Sequence, residues 1–253
     1  MQIITDPWFY AIALPAVILL GLSKGGFSGV GTAATPMVAL YLPALEAAAL
    51  LLPVLITQDI ISLYLYRKHW DASNLKILLP GAVVGMTLGW LLAAYTSDTA
   101  IRLSVGLIGI AFVLHVWLKL GPKGPTRMGP AGGLFWGTVS GFCSFMSQAG
   151  GPPYSIYVLP QQLPKLVLVG TTTIFFAAGN AMKIVPYYML GTFTPANLTT
   201  SFMLLPAAIA ANFAGFWLVR VTPTGLFYRI AYLLLFVISL VLLWQGVSDL
   251  VRG

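Results

Sequence analysis

A chain of 253 residues that is 58% hydrophobic and only 8% charged is not a soluble domain, since soluble domains carry about 25% charged residues. The formal charge of +7, from 13 basic and 6 acidic side chains, is spread mostly between apolar runs with no basic stripe. It therefore anchors and orients a membrane protein rather than binding nucleic acid. Cys143 is the single cysteine, which excludes an intrachain disulfide and a cysteine-cluster metal site.

The opening segment, residues 1–7, lacks the basic start of a cleavable signal, so the first apolar run is expected to persist in the mature protein. Apolar stretches of spanning length then recur along the chain. They predict an all-α polytopic membrane protein. Residues 8–22 are apolar around Pro15 and residues 32–42 are apolar again, with Gly21-Leu-Ser-Lys-Gly-Gly-Phe-Ser-Gly-Val-Gly31 as a polar break. A span needs roughly 20 residues, so the two arms read as a broken helix or re-entrant hairpin. Pro36 and Pro43 mark the second arm and its end.

Three spans follow. Residues 46–66 carry Gln58-Asp59, and residues 75–95 carry Gly81, Gly85 and Gly89 on one face suited to close helix packing. Residues 99–118 contain His115. Residues 119–130 are the one real linker, rich in proline and glycine. The pattern then restarts with residues 131–145, a second break at Gly141-Phe-Cys-Ser-Phe-Met-Ser-Gln-Ala-Gly-Gly-Pro-Pro153, and residues 154–159. Spans at 165–185, with Asn180 and Lys183, at 198–219 and at 225–247 complete the set.

Two homologous halves are expected, 1–118 and 131–253, joined by the 119–130 linker. Each has one broken or re-entrant element plus three transmembrane helices. Leu78-Leu-Pro-Gly-Ala-Val-Val-Gly-Met-Thr-Leu-Gly89 lies over Leu204-Leu-Pro-Ala-Ala-Ile-Ala-Ala-Asn-Phe-Ala-Gly215, and Gln58-Asp59 falls near Gly179-Asn180. If both broken elements are hairpins, nine basic residues (Arg67, Lys68, Lys76, Lys119, Lys123, Arg127, Lys165, Arg220, Arg229) collect on one side. Eight full crossings would move three of them outside. The positive-inside rule thus favours inverted repeats over parallel ones, and internal repeats are a common construction of secondary transporters.

In hydrocarbon, non-helical backbone is tolerated only where it is buried in protein or lines a wet cavity. The two breaks therefore point to a substrate site, where helix ends offer unpaired N–H groups and a positive dipole end to an anion. Lys24 adds a full charge whose burial costs several kcal/mol unless it is paired or hydrated. It reads as an anion-binding or gating charge, against the alternative of a lysine snorkelling to the interface. Gly25, Gly26, Gly29 and Gly31, with Ser28 and Thr32, would let a ligand approach the backbone closely, against tight helix packing with no ligand. Ser144, Ser147, Gln148, Gly150 and Gly151 offer hydroxyls, an amide and free N–H groups to an oxyanion, against simple capping of the broken backbone.

Asp59, with Gln58, sits midway along a span, where a carboxylate either carries a proton or pairs with Lys24 or Lys183. Asn180 and Lys183 lie one turn apart on the corresponding span of the second half. These four are the expected coupling or gating residues. Two histidines, His69 and His115, with no converging acid or thiol give no metal site. No nucleophile–histidine–acid set marks an enzyme, and no cofactor is expected.

At both breaks the chain resembles the TauE/SafE family of sulfite-exporter-like permeases. The matching pieces are Leu22-Ser-Lys-Gly-Gly-Phe-Ser-Gly-Val-Gly31 with Thr35-Pro36, Ala149-Gly-Gly-Pro-Pro-Tyr-Ser-Ile-Tyr157, and Gly170-Thr-Thr-Thr-Ile-Phe-Phe-Ala178 with Asn180. The resemblance implies movement of sulfur-containing anions such as sulfite and organosulfonates, sulfoacetate among them, commonly outward. Gln148 departs from the histidine expected in relatives of this branch. A glutamine hydrogen-bonds but does not titrate near neutral pH, which counts against a histidine proton carrier there. The expectation is a secondary transporter or exporter of small anions working by alternating access around a midplane site. The alternatives are a channel-like anion pore or a permease for another small organic anion. The expected setting is a bacterial-type inner membrane, with a small anion and the bilayer as partners. A coupling proton or sodium ion and a homo-oligomer remain open, and no nucleic acid is expected.

Overall fold

A computed structural model of the chain describes residues 6–25, 31, 34–38, 41–42, 44–92, 95, 97–118, 124–189 and 193–252. Among these residues there are ten α-helices and no strand. They are α1 (Pro7–Gly25), α2 (Ala34–Val38), α3 (Ala44–Tyr66), α4 (Ala72–Leu92), α5 (Asp98–Trp117), α6 (Pro130–Ser147), α7 (Gly151–Val158), α8 (Lys165–Met189), α9 (Pro195–Val221) and α10 (Thr224–Arg252). Seven of them, α1, α3, α4, α5, α8, α9 and α10, are long and apolar enough to cross a membrane. The chain is a multi-pass helical membrane protein.

Local chemistry sets the helix ends. Ser97 and Thr194 accept N-cap hydrogen bonds from the backbone N–H groups of Ala100 and Asn197. Pro130 and Pro195 open α6 and α9, where a missing N–H costs nothing. Prolines inside α1, α3, α4, α8 and α9 are tolerated because neighbouring groups re-satisfy freed backbone in a membrane. At the start of the chain, the Tyr41 hydroxyl donates to Asp6 Oδ2 at 2.5 Å and the Trp8 N–H donates to Oδ1 at 2.9 Å. These bonds, Tyr41 first, hold the Asp6 carboxyl below its ordinary range and push the Tyr41 phenol up.

Both breaks are narrower than the sequence reading. Helix α1 runs 19 residues, through Ser23 and Lys24 to Gly25, so Lys24 sits on its last turn rather than in irregular chain. Helix α6 likewise continues through Gly141 to Ser147. Backbone groups without water keep their helical partners for as long as a side chain permits it.

The helices form two compact units, and each mixes elements from both sequence halves. The first, Met1–Trp70 with Val169–Thr222, holds α1, α2, α3, α9 and most of α8. There α1 and α3 pack on α9, and α2 packs on α1 and α3. Phe9, Ala13, Val17, Leu20, Leu50, Leu51, Leu204 and Ala208 form the core. The second, Asp71–Leu168 with Pro223–Gly253, holds α4, α5, α6, α7 and α10. There α4 packs along α6 and α5 along α10, around Ile101, Val105, Cys143, Ala149, Ile238 and Leu242. Exposed apolar side chains such as Leu91, Phe202, Trp217 and Trp244 are what lipid-facing helix surfaces require.

One contact occurs in both units. A Cβ on Gly21 of α1 would lie 2.9 Å from the Ala208 carbonyl oxygen of α9. A Cβ on Gly141 of α6 would run into the Ala82 carbonyl oxygen of α4, with Ala82 Cα at 2.8 Å. Gly21 and Gly141 open the two break motifs, and Ala82 and Ala208 are equivalent in the aligned segments. Small residues let these backbones approach.

Candidate anion site

Two helices turn one face each toward the end of α1. On α3, Asp59 and Ser62 are one turn apart, and on α8, Phe176, Asn180 and Lys183 follow at helical spacing. The Lys24 ammonium donates to Asp59 Oδ1 at 2.6 Å, with only 12% and 5% of the two side chains exposed. Asn180 Nδ2 donates to the other carboxylate oxygen at 2.7 Å. The Phe176 ring centroid lies 6.0 Å from Lys24 Nζ, within range of a weak cation–π attraction. Lys183 is 1% exposed and close enough that the charges of both Lys24 and Asp59 act on it. Asp59 is thus held by Lys24 and Asn180, with the buried Lys183 one turn along α8 from Asn180.

A shell of neutral groups fixes this arrangement. Ser62 Oγ lies 3.1 Å from both the Lys24 carbonyl oxygen and Asn212 Oδ1, two acceptors for its proton. Asn212 Nδ2 donates to the Gln58 carbonyl oxygen at 2.9 Å, and Gln58 Nε2 donates to the Ala208 carbonyl oxygen at 3.2 Å. Gln58 Oε1 is buried and has no hydrogen-bond partner among the described residues. The sequence reading missed Ser62, Asn212 and Phe176. Ser62 was detectable one turn from Asp59, and Asn212 as a strongly polar side chain in the apolar middle of a span.

Of the residues expected around the first break, Gly26, Ser28, Gly29 and Thr32 lie outside the described residues, as does the environment of Gly25. Gly31 is placed against the end of α1, where an added Cβ would be 2.9 Å from Ser23 Cβ and 3.2 Å from Leu20 Cδ2. Gly31 therefore lies against the Leu20–Ser23 face of α1.

The second break is built within the second unit. Helix α6 ends at Gln148, whose backbone is left-handed at φ 56 and ψ 16. The N–H groups of Gln148 and Ala149 both reach the Cys143 carbonyl oxygen, so one carbonyl of the last turn is capped by both. Ser140 Oγ then donates to the Gly150 carbonyl oxygen at 2.7 Å. A Cβ on Gly150 would come within 2.7 Å of both the Ser140 carbonyl oxygen and Ser144 Cβ. Gly150 thus lets the start of α7 lie on the Ser140–Ser144 face of α6. From Pro152 to Val158, α7 is buried throughout. The Ser147 side chain is outside the described residues. Gly151 begins α7 and Ser144 is buried.

Backbone geometry at Gln148 yields a first prediction. A left-handed conformation costs a non-glycine residue about 1–2 kcal/mol, more for β-branched side chains. Gln148→Gly is expected to unfold at higher temperature than Gln148→Val in detergent, the two differing by about 1–2 kcal/mol. Equal melting of the two would show that φ at 148 is not constrained.

An open cleft of about 510 Å³ in the second unit is lined by Trp117, Gln162, Tyr228, Arg229 and Tyr232, among others. Such aromatic and arginine walls belong to membrane–water boundaries. None of the residues expected from the sequence to contact substrate lines it.

Residues 13–242 match the family model described as Sulfite exporter TauE/SafE, which covers nearly the whole chain and both breaks. Comparison with curated proteins and with solved structures returns no match.

Proposed function

The chain belongs to the sulfite exporter TauE/SafE family, and from that premise we propose that it is a secondary exporter of small oxidised-sulfur anions in a bacterial-type inner membrane. Its substrates in this reading are sulfite and organosulfonates such as sulfoacetate. The observation that carries it is the Lys24–Asp59–Asn180 network with the buried Lys183 one turn from Asn180 on α8: two buried or nearly buried amino groups and one buried carboxylate. Buried charge of this kind marks a transport pathway in a membrane protein. The positive excess, beside a helix break and an amide, is what an oxyanion needs.

In this reading Lys24 and Lys183 attract the anion, and Asn180 and Gln58 hold the charged groups in register. The first break motif, Gly25, Gly26, Ser28, Gly29, Gly31 and Thr32, lets the anion approach the backbone closely in this reading. Ser144, Ser147, Gln148, Gly150 and Gly151 supply hydroxyls, an amide and backbone N–H groups in the second unit. The two halves act as inverted repeats, a reading supported by the charge asymmetry and by the Gly21–Ala208 and Gly141–Ala82 contacts. Transport proceeds by alternating access, and outward movement of an anion gains about 2.3 kcal/mol per charge per 100 mV of inside-negative potential. In this reading Asp59, with Gln58, Asn180 and Lys183, gates that movement, and any coupling proton or sodium ion travels without neutralising Asp59.

Purified protein in proteoliposomes tests this. Labelled sulfite is expected to enter with saturable kinetics and to show counterflow against unlabelled sulfite, with a carboxylate of similar size carried poorly. Gln148→Ala is expected to weaken sulfite flux severalfold without abolishing it, because a single neutral hydrogen bond contributes about 0.5–1.5 kcal/mol. Linear, non-saturating conductance would replace the exporter with an anion pore using the same residues.

A further inference from the structure

Resting on that reading, we propose that the Lys24–Asp59–Asn180–Lys183 cluster selects its anion by valence. Asp59 sets the site to accept one negative charge. Within that substrate class, bisulfite and singly charged sulfonates are therefore carried in preference to the dianions, so that sulfite dianion and sulfoacetate are the weaker substrates and sulfate the weakest competitor.

The argument is a charge count in a confined place. Among the described residues, Asp59 is the only carboxylate that is buried. Both of its oxygens are held, one by the Lys24 ammonium at 2.6 Å and the other by the Asn180 amide at 2.7 Å. A carboxylate fixed at both oxygens is a permanent part of the site's charge rather than a side chain that swings clear for substrate. Its anchors are fixed in turn. Ser62 is within 3.1 Å of the Lys24 carbonyl oxygen, and Asn212 holds the Gln58 carbonyl next to Asp59. Lys24 and Asp59 cancel as a pair, so the cluster carries a single positive charge when Lys183 is protonated, the state that a bound anion favours.

One bound monoanion brings that sum to zero. A dianion leaves an uncompensated negative charge in low dielectric, where charges interact several times more strongly than in water. Asn180 gives one N–H to Asp59 and is neutral, so it leaves the charge count unchanged.

The experiment compares methanesulfonate and sulfate, two oxyanions of similar size that differ by one charge, as competitors of labelled sulfite uptake in proteoliposomes. For the intact protein, methanesulfonate is expected to compete at least about tenfold more strongly than sulfate, a modest share of the Coulomb difference for one unmatched charge. Asp59→Asn, which raises the sum to two, is expected to bring that ratio to about one or to reverse it, a shift of roughly tenfold or more. Asp59→Glu keeps the charge and is expected to keep the preference of the intact protein even if its flux falls.

Sulfate competing as well as methanesulfonate against the intact protein would overturn the proposal. So would an unchanged ratio in Asp59→Asn. If that variant fails to insert, the ratios for the intact protein and Asp59→Glu decide. No uptake of any anion by the intact protein would sink the transport reading itself. Uptake without a valence preference would sink the charge count and leave transport standing.

Discussion

Lys24→Ala is expected to abolish saturable sulfite flux, lowering it by about 100-fold or more, and to destabilise the protein. Removing one partner of a buried pair costs about 3–5 kcal/mol, because the remaining charge is left poorly compensated. Here that charge is Asp59, 5% exposed and otherwise bonded to Asn180. The slight exposure of Lys24, 12%, places the loss toward the lower end. The second effect is on substrate. Without Lys24 the cluster's positive excess is gone, and an incoming anion meets Asp59 with only Lys183 to offset it.

The two effects separate in the double variant Lys24→Ala/Asp59→Ala. Deleting both members removes the stranded carboxylate, so thermal stability in detergent is expected to recover much of its loss while flux stays low. The difference between the single and double variants measures the coupling. Retention of saturable flux by well-folded Lys24→Ala would remove this lysine from the pathway.

A large effect on folding is expected at Gly85. A Cβ there would run into the Thr138 carbonyl oxygen and lie 2.8 Å from the Phe142 backbone nitrogen. Both are backbone atoms of α6, which cannot rotate aside as a side chain can. Gly85→Leu must therefore separate α4 from α6, the pair along which the second unit is built. Ordinary overpacking costs about 1–3 kcal/mol, and a clash with fixed backbone belongs at or beyond the top of that range. The expected outcome is little monodisperse protein and a strongly lowered melting temperature. Gly225→Ala is the control, since no atom lies within 4 Å of a Cβ built there, and it is expected to melt like the intact protein. Normal folding of Gly85→Leu would contradict the close approach of α4 and α6.

Much of the helical plan is legible in the chain because the bilayer imposes it. Long apolar runs form helices wherever backbone groups lack water, and the spans expected at 46–66, 75–95, 99–118, 165–185, 198–219 and 225–247 all have helices over them. The boundaries of the breaks were harder to read. Gly21 to Lys24 and Gly141 to Ser147 look like loop by composition, yet they are helical. Glycine and serine lower helix propensity by only about 0.5–1 kcal/mol per residue, less than the cost of unpaired backbone in an apolar setting. Gln148 is different. Its left-handed backbone is a property of the cap, and no feature of glutamine announces it.

Asp59, Lys24, Asn180 and Lys183 could be singled out one at a time, because a charged or amide side chain in an apolar span is conspicuous whatever surrounds it. Their partnership was legible only as alternatives, Asp59 with Lys24 or with Lys183, and the structure pairs it with Lys24. Lys24 and Asp59 are 35 positions apart, and Asp59 and Asn180 are 121 apart. Nothing in spacing or composition says that one carboxylate faces both. The sequence by itself determined the medium, the helices, the two break motifs and the identity of the buried polar groups, since hydrophobicity and backbone satisfaction act residue by residue. Tertiary structure decided which helices form a unit, drawing α1 and α3 from one half and α8 and α9 from the other. It thereby decided that Asp59 is shared, because helix packing is set by complementary surfaces of segments far apart in the chain.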